Sequence, residues 1–147
     1  MSDNVSVTIT QKGNYQFLVD FGAGIPPLQA DEPAPLGAGD GPSPNQLLVA
    51  AVTNCLSASL FFALSKFKQD AGGITTTGTA RLGRDADKRL RVQGIDVTIR
   101  LGKSGGEIEH LDRILSQFEA FCTVTQSVQH GIPVAIAVED GKGLRVN

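Results

Sequence analysis

Few cysteines and little net charge exclude several classes of protein at the outset. The 147 residues contain two Cys, 17 Gly without a three-residue period, and 13 Lys and Arg against 15 Asp and Glu. Two cysteines cannot form a disulfide scaffold, and aperiodic glycine does not form collagen. With a net charge of -2, the chain has no excess of Lys and Arg to form a positively charged surface for nucleic acid or a membrane, so we expect neither as a partner.

The sequence also lacks an N-terminal targeting signal. Its first residues, Met-Ser-Asp-Asn-Val-Ser-Val-Thr, do not form a basic region followed by an apolar one, so we expect a cytoplasmic protein. Because 41% of the residues are hydrophobic, the chain can bury a sizeable core. We expect a single domain over residues 1–147.

Sequence motifs of common cofactor sites are absent. There is no G-x-G-x-x-G, no G-x-x-x-x-G-K-[ST] and no G-x-S-x-G. His110 and His130 are not spaced from each other or from a cysteine in the way that metal ligands are. A nucleophilic cysteine activated by His130 is conceivable, but the sequence shows no third residue that would orient the histidine. We therefore expect no cofactor and no metal site.

Alternating apolar residues predict two β-hairpins and a last strand. The first hairpin carries Val5, Val7 and Ile9 on one strand and Tyr15, Phe17, Val19 and Phe21 on the other. The second joins Ile74–Leu82 to Leu90–Leu101 with a bulge at Gly94, and the last strand carries Val134, Ile136 and Val138. Between the hairpins, Gly22–Pro44 holds six of the seven Pro and five Gly, which predicts a long surface loop without regular elements.

A long helix follows this loop. Ser43 is placed to cap it, Pro44 to occupy its first position and Gln46 to complete a capping box, and we expect the helix to run to about Phe67, with Gly72-Gly73 as the stop. Its apolar residues fall on every face, which is typical of a helix buried all round and suggests that a second copy of the chain covers part of it. Polar residues within its uncharged run argue against a membrane span.

A second helix is predicted over Glu107–Cys122, with Ile108, Leu111, Leu115, Phe118 and Cys122 on its apolar face and Ser104 and Glu107 as a capping box. Thr123–His130 either continues this helix or begins a new one. The order ββ-α-ββ-α-β predicts an α+β fold with largely antiparallel sheet.

Cys55 and Cys122 both fall on predicted inward-facing positions, which leaves two interpretations. Free cysteines are often small core residues without chemistry. Alternatively, one thiolate attacks an oxidant and the other resolves the sulfenic acid into a disulfide. A helix that restarts at Cys122 would lower the pKa of that thiol.

The run Pro42-Ser-Pro-Asn-Gln-Leu-Leu-Val-Ala-Ala-Val-Thr-Asn-Cys55, with Glu119-Ala-Phe-Cys122-Thr-Val-Thr downstream, resembles the OsmC/Ohr family of peroxide-handling proteins. The resemblance spans nearly the whole chain. It implies an intertwined homodimer in which sheet wraps long central helices, with Cys55 as the peroxidatic thiolate and Cys122 as the resolving one. It also implies a small-molecule peroxide as substrate and a thiol reductant.

The chain departs from the family pattern at two points. Asn45 stands where active members carry a Glu, and the first Arg is Arg81, whereas the family uses an Arg in the N-terminal sheet or its loops. Without that pair, we expect the Cys55 pKa to lie near that of a free thiol unless Lys12 substitutes for the Arg. The sequence thus favours a thiol peroxidase, with a non-catalytic protein that binds a small apolar or thiol-containing ligand as the alternative.

Overall fold

The computed structural model describes residues 3–147 and contains one long helix and two separate antiparallel sheets. The strands are β1 Thr8–Gly13, β2 Gln16–Asp20, β3 Leu28–Ala30, β4 Ile74–Arg84 and β5 Leu90–Leu101. The helices are α1 Pro44–Lys66, α2 Leu111–Gln117 and α3 Thr123–His130, with 3-10 turns at Gly105–Glu107 and Phe118–Phe121. This arrangement confirms the predicted α+β class with antiparallel sheet.

The N-terminal sheet has three strands in the order β1-β2-β3, not two. The third strand lies inside the proline-rich loop, where Phe17 pairs with Ala30 and Val19 with Leu28. The prediction that this loop holds no regular element is therefore wrong. Prolines before and after a three-residue strand at the sheet edge do not interrupt its hydrogen bonds, so the loop can add a short edge strand.

The start of α1 follows the predicted capping box. Gln46 N donates to Ser43 Oγ at 3.2 Å, and Ser43 N donates to Gln46 Oε1 at 3.0 Å. The helix ends at Lys66 with Phe67 as its C-cap, and the left-handed residue that follows is Lys68, with a φ of 55°. The chain thus turns before Gly72-Gly73, which do not act as the stop.

The second sheet is a long hairpin of β4 and β5 that packs on α1. Arg81 pairs with Gly94 and Leu82 with Val92, so the predicted bulge lies at Gln93-Gly94. Ser57 on α1 donates to Thr76 Oγ1 on β4 at 2.6 Å. The helix and the sheet approach closely at Gly78, where an added Cβ would clash with Thr53 Oγ1.

We expect Gly78→Ala to destabilise the protein by about 1–3 kcal/mol, because the new methyl group overpacks this contact. It would meet Thr53 Oγ1 and lie 2.9 Å from Val49 Cγ1. Urea unfolding measures the decrease in the free energy of unfolding. Adding Thr53→Ala to the Gly78→Ala protein should restore part of this stability. Gly106→Ala is the matched control, because nothing lies within 4 Å of its Cβ position. Equal stabilities of Gly78→Ala and the control would contradict the close approach.

The predicted helix over Glu107–Cys122 is wrong as a single element. The chain forms a 3-10 turn, passes through His110 in the left-handed region with a φ of 61°, and then forms α2 and a second 3-10 turn. Ser104 and Glu107 do interact, since Ser104 N donates to Glu107 Oε2 at 3.0 Å, but they bracket the first 3-10 turn. Of the predicted apolar face, Ile108, Phe118 and Cys122 are buried and Leu111 packs against the core, but Leu115 is exposed and Ile114 is buried in its place.

The predicted last strand is also absent from the protomer. Val134 and Ile136 are 78% and 68% exposed. An isolated antiparallel β-bridge joins Glu139 to Arg145 just after them. Alternation predicts a strand only where a neighbouring strand and a buried face are available. Within the described residues of one protomer, Val134 and Ile136 have neither, and at the end of the segment the Val138 carbonyl oxygen accepts from Val146 N at 2.8 Å.

The core lies between α1, the β4–β5 hairpin and the segment from Ile108 to Val128. α1 is the one helix among residues 3–147 that is long and apolar enough to cross a membrane, judged by length and composition alone. It packs against β4, α2 and α3 as the core helix of this fold. Only 33% of that apolar stretch is buried within one protomer, and Phe61 and Phe62 are exposed.

Candidate thiol site

Two cysteines from distant parts of the chain meet in the core. Cys55 lies in the middle of α1 and is partly buried, while Cys122 lies between the 3-10 turn Phe118–Phe121 and α3 and is 0% exposed. Neither forms a disulfide. Cys122 belongs to the buried core cluster, Cys55 packs against that cluster, and each thiol influences the pKa of the other. The fold therefore brings together the two residues that the sequence placed 67 positions apart.

Cys122 occupies the N-cap of α3, which confirms the alternative that a new helix begins there. Its Sγ lies 2.9 Å from Thr125 Oγ1, so the thiol can donate to this hydroxyl and the thiolate can accept from it. The Thr125 backbone N–H and the Ser59 side chain on α1 also act to lower the pKa of this thiol. Thiolates at a helix N-terminus are stabilised by such donors and by the helix dipole.

The surroundings shift the two thiols in opposite directions. Burial raises the pKa of Cys55, and the hydrogen bond with Cys122 raises it further. Burial also acts to raise the pKa of Cys122, but hydrogen bonds from Cys55, Thr125 and Ser59 outweigh it and the pKa is lowered. The surroundings therefore favour a thiolate on Cys122 and disfavour one on Cys55.

No charged side chain is among the main influences on either sulfur within residues 3–147. Asn45 lies exposed in the first turn of α1, and Lys12 lies exposed on β1. Ten residues of helix separate Asn45 from Cys55, which is about 15 Å. Within one protomer, the structure thus shows no substitute for the Arg and Glu that the resemblance assigns to active members.

Neither histidine joins the thiol pair. His110 stacks on Phe67 with ring centroids 5.5 Å apart, and His130 Nδ1 lies 2.6 Å from the Gln126 carbonyl oxygen. In the part of the chain that the structure describes, no group of three His, Cys, Asp or Glu side chains could hold a metal ion.

A cavity of about 470 Å³ lies between α1, β5 and α3, and neither cysteine is among its lining residues. Leu56, adjacent to Cys55 in sequence, and Thr125, the partner of Cys122, both line it. The other lining residues are mainly apolar: Leu48, Val52, Val92, Ile95, Val97 and Val128, with Gln93, Gly94, Glu119 and Gln129. Such a cavity suits a ligand with an apolar body and a small polar group near Thr125.

Sequence reasoning missed Thr125 and Ser59. The signal for Thr125 was its position three residues after Cys122, which places the two side chains next to each other once a helix begins at Cys122. Ser59 follows Cys55 by one helical turn and therefore lies on the same side of α1.

Comparisons with known proteins concern the overall fold and the family. A sequence profile described as OsmC-like protein matches residues 37–137. An OsmC-like protein of Mycoplasma pneumoniae has a TM-score of 0.72 at 12% identity, covering 90% of this chain and 91% of that one. An OsmC-like protein of unknown function from Vibrio cholerae has a TM-score of 0.70 at 18% identity, covering 88% and 95%. Among curated proteins, none matches this chain.

The organic hydroperoxide resistance protein OhrB of Bacillus subtilis is also similar in structure, with a TM-score of 0.63 at 17% identity over 86% of this chain and 92% of that chain. Likeness at these identities concerns the fold. The profile match spans more than half of the 147 residues, and the chain therefore belongs to the family of OsmC-like proteins.

Proposed function

We propose that this single-domain protein is a thiol-dependent peroxidase that reduces organic hydroperoxides in the cytoplasm through Cys55 and Cys122. The observation that carries the proposal is that two unbridged cysteines, one partly exposed and one fully buried, lie in the same core cluster. Thr125, the hydrogen-bond partner of Cys122, also lines an apolar cavity. Similarity to proteins named for organic hydroperoxide resistance supports the same class of substrate.

The proposed reaction proceeds in three steps. The Cys55 thiolate attacks the outer peroxide oxygen, the O–O bond breaks, and the products are Cys55 sulfenic acid and an alcohol. The Cys122 thiolate then attacks the Cys55 sulfur and expels hydroxide, which forms a disulfide. A thiol reductant next attacks the more accessible Cys55 sulfur and forms a mixed disulfide, and Cys122 leaves as a thiolate; a second thiol of the reductant then attacks the reductant sulfur of this mixed disulfide, which releases the Cys55 thiolate and leaves the reductant as a disulfide.

The cavity favours an organic hydroperoxide over hydrogen peroxide. Most of its lining side chains are apolar, so binding an alkyl or aryl group there removes apolar surface from water. Hydrogen peroxide would gain nothing from this surface.

We also propose that the active form is a homodimer. Phe61 and Phe62 on α1 are 64% and 52% exposed, which is unusual for aromatic residues on the core helix of a soluble fold. β1 is a sheet edge, and the C-terminal segment with Val134 and Ile136 has no strand beside it among the described residues. A second copy of the chain would cover the helix face and supply the missing strand partners.

A stoichiometric dose of cumene hydroperoxide is expected to consume both thiols of the reduced protein and leave an intramolecular disulfide. Mass spectrometry after alkylation should show a loss of two hydrogens in the wild type. Cys122→Ser should instead trap a sulfenic acid on Cys55, which dimedone labels. If both thiols of the wild type stay fully alkylatable after peroxide treatment, the peroxidase proposal fails.

One observation favours a second function. Burial and Cys122 raise the pKa of Cys55, which makes it a weak nucleophile at neutral pH. The alternative is a non-catalytic protein whose cavity binds a small apolar or thiol-containing molecule without turnover. Alkylatable thiols after peroxide treatment, together with saturable binding of an apolar fluorescent probe, would establish this alternative.

A further inference from the structure

We infer that the cavity between α1, β5 and α3 selects its substrate by charge, and that Glu119 at its rim is the residue responsible. Organic hydroperoxides whose far end is neutral or cationic bind there, and those that carry a carboxylate at the far end are repelled. The inference rests on the proposed peroxidase function and adds to it the class of hydroperoxide that the site takes.

The cavity has a buried, mainly apolar end and an exposed rim. Val52, Leu56 and Thr125 line it and are buried, and the Thr125 hydroxyl lies 2.9 Å from Cys122 Sγ. Four of the lining residues are exposed: Leu48, Gln93, Glu119 and Gln129. A volume of about 470 Å³ is in the range of small-molecule sites. A ligand whose peroxide group lies near Thr125 therefore has its other end at the rim.

Glu119 carries the one formal charge among the residues that line the cavity. Within residues 3–147, its carboxylate has no ion-pair or hydrogen-bond partner. Two arginines lie next to the β5 residues of the lining, but each is already paired. Arg81 Nε lies 2.7 Å from Asp96 Oδ2, and Arg91 Nε lies 3.2 Å from Asp85 Oδ2. The rim is therefore negatively charged.

The backbone of Glu119 is held against the start of α3. Its carbonyl oxygen accepts from Cys122 N at 3.1 Å and from Gln126 Nε2 at 3.2 Å. His130, the titratable residue of this helix, does not line the cavity, and its Nδ1 lies 2.6 Å from the Gln126 carbonyl oxygen. The carboxylate thus extends from a backbone position that is fixed relative to Cys122 and Thr125.

A second carboxylate at this rim would be repelled. Like charges at a partly desolvated surface interact strongly enough to change affinity by about tenfold. A cationic group at the same place would be attracted. A neutral ester has no such interaction with Glu119, and the side chains of Gln93 and Gln129 offer it hydrogen bonds.

Three derivatives of cumene hydroperoxide, each substituted para to the carbon that bears the peroxide, test this preference. The substituents are a carboxylate, its methyl ester and an aminomethyl group, which are anionic, neutral and cationic at neutral pH. The kcat/KM of the wild type should be about tenfold higher for the ester than for the carboxylate, and at least as high for the aminomethyl compound as for the ester. The rate of each compound with dithiothreitol alone corrects for differences in intrinsic reactivity.

Glu119→Gln should reduce the ratio of ester to carboxylate to about twofold or less, because it removes the charge and keeps the shape of the side chain. Glu119→Lys should make the carboxylate the better substrate of the two charged compounds. Glu109→Gln is the matched control, since Glu109 is an exposed glutamate that does not line the cavity, and it should keep the wild-type ratio.

Salt provides a readout that a merely structural role of Glu119 would not change. The screening length falls from about 30 Å to about 3 Å between about 0.01 M and about 1 M salt. The ratio of ester to carboxylate should therefore fall with salt in the wild type and stay constant in Glu119→Gln.

Binding of the matching alcohols, in which a hydroxyl replaces the hydroperoxide, separates this inference from the proposed function. Their displacement of the neutral probe N-phenyl-1-naphthylamine needs no peroxide chemistry. If the alcohols show the charge preference and Glu119→Gln removes it, but no hydroperoxide is reduced, the peroxidase proposal is wrong and the selection by charge stands as a binding property. If the hydroperoxides are reduced and the wild-type ratio equals that of Glu119→Gln, the selection by charge is wrong and the peroxidase proposal stands. Failure of all three alcohols to displace the probe would also overturn the inference, because the cavity would then not be the binding site.

Discussion

Cys55→Ser is expected to lower the steady-state rate of cumene hydroperoxide reduction by on the order of a thousandfold or more, as removal of a nucleophile does in other enzymes. A serine hydroxyl stays protonated at neutral pH in this buried position, and its oxygen does not form the sulfenic acid through which the proposed reaction proceeds. The measurement is the initial rate of peroxide loss with dithiothreitol as the reductant.

Cys122→Ser is the informative comparison for this loss. It should still reduce one equivalent of peroxide, because Cys55 remains, and dithiothreitol can reduce the trapped sulfenic acid slowly. Each variant replaces one sulfur of the pair with an oxygen, so the comparison assigns the loss of activity to one sulfur or the other. Peroxide reduction by Cys55→Ser at the wild-type rate would remove Cys55 from the reaction.

Local signals in the sequence predicted the start of α1 and the second hairpin. Ser43, Pro44 and Gln46 interact within a few residues of one another, so their pattern determines the capping box without reference to the rest of the fold. The bulge at Gln93-Gly94 is equally local, since glycine interrupts the alternation there.

The errors arose where tertiary contacts decide the local structure. The helix predicted through His110 is broken because the chain must bring Ile108, Ile114 and Phe118 onto α1. The unbroken helix that the sequence predicted would have buried Leu115 rather than Ile114. The ring of His110 then stacks on Phe67 across the break. Left-handed backbone at a non-glycine residue has a small energetic cost, which this packing offsets.

Part of the thiol site follows from the sequence and part does not. The two cysteines were identified as a candidate pair, and the helix start at Cys122 was one of two alternatives. The opposite pKa shifts could not be predicted, because they depend on Thr125, Ser59 and the burial of Cys122 in three dimensions. The lack of a nearby Arg and Glu was visible in the sequence, but the donors that act on Cys122 instead were not.

Phe61→Asp is expected to convert the proposed homodimer into a monomer. Phe61 is 64% exposed in the protomer and lies on the uncovered face of the central helix, where a second copy would bury it. An aspartate without a partner at a buried interface costs on the order of 3 kcal/mol or more, which weakens dimerisation by over a hundredfold. Light scattering at micromolar concentration should give twice the protomer mass for the wild type and the protomer mass for the variant.

Thermal unfolding provides the second measurement of the same interface. The unfolding midpoint of a wild-type dimer should rise with protein concentration, while that of Phe61→Asp should be lower and independent of concentration. Leu90→Asp is the matched control, because Leu90 is a 51% exposed apolar residue at the tip of the β4–β5 hairpin, away from α1. A wild-type protein with the mass of one protomer and a concentration-independent midpoint would mean that the exposed face of α1 is not a dimer interface. The segment around Val134 and Ile136 would then have no strand partner in solution, and the family likeness would extend to the fold of the protomer alone.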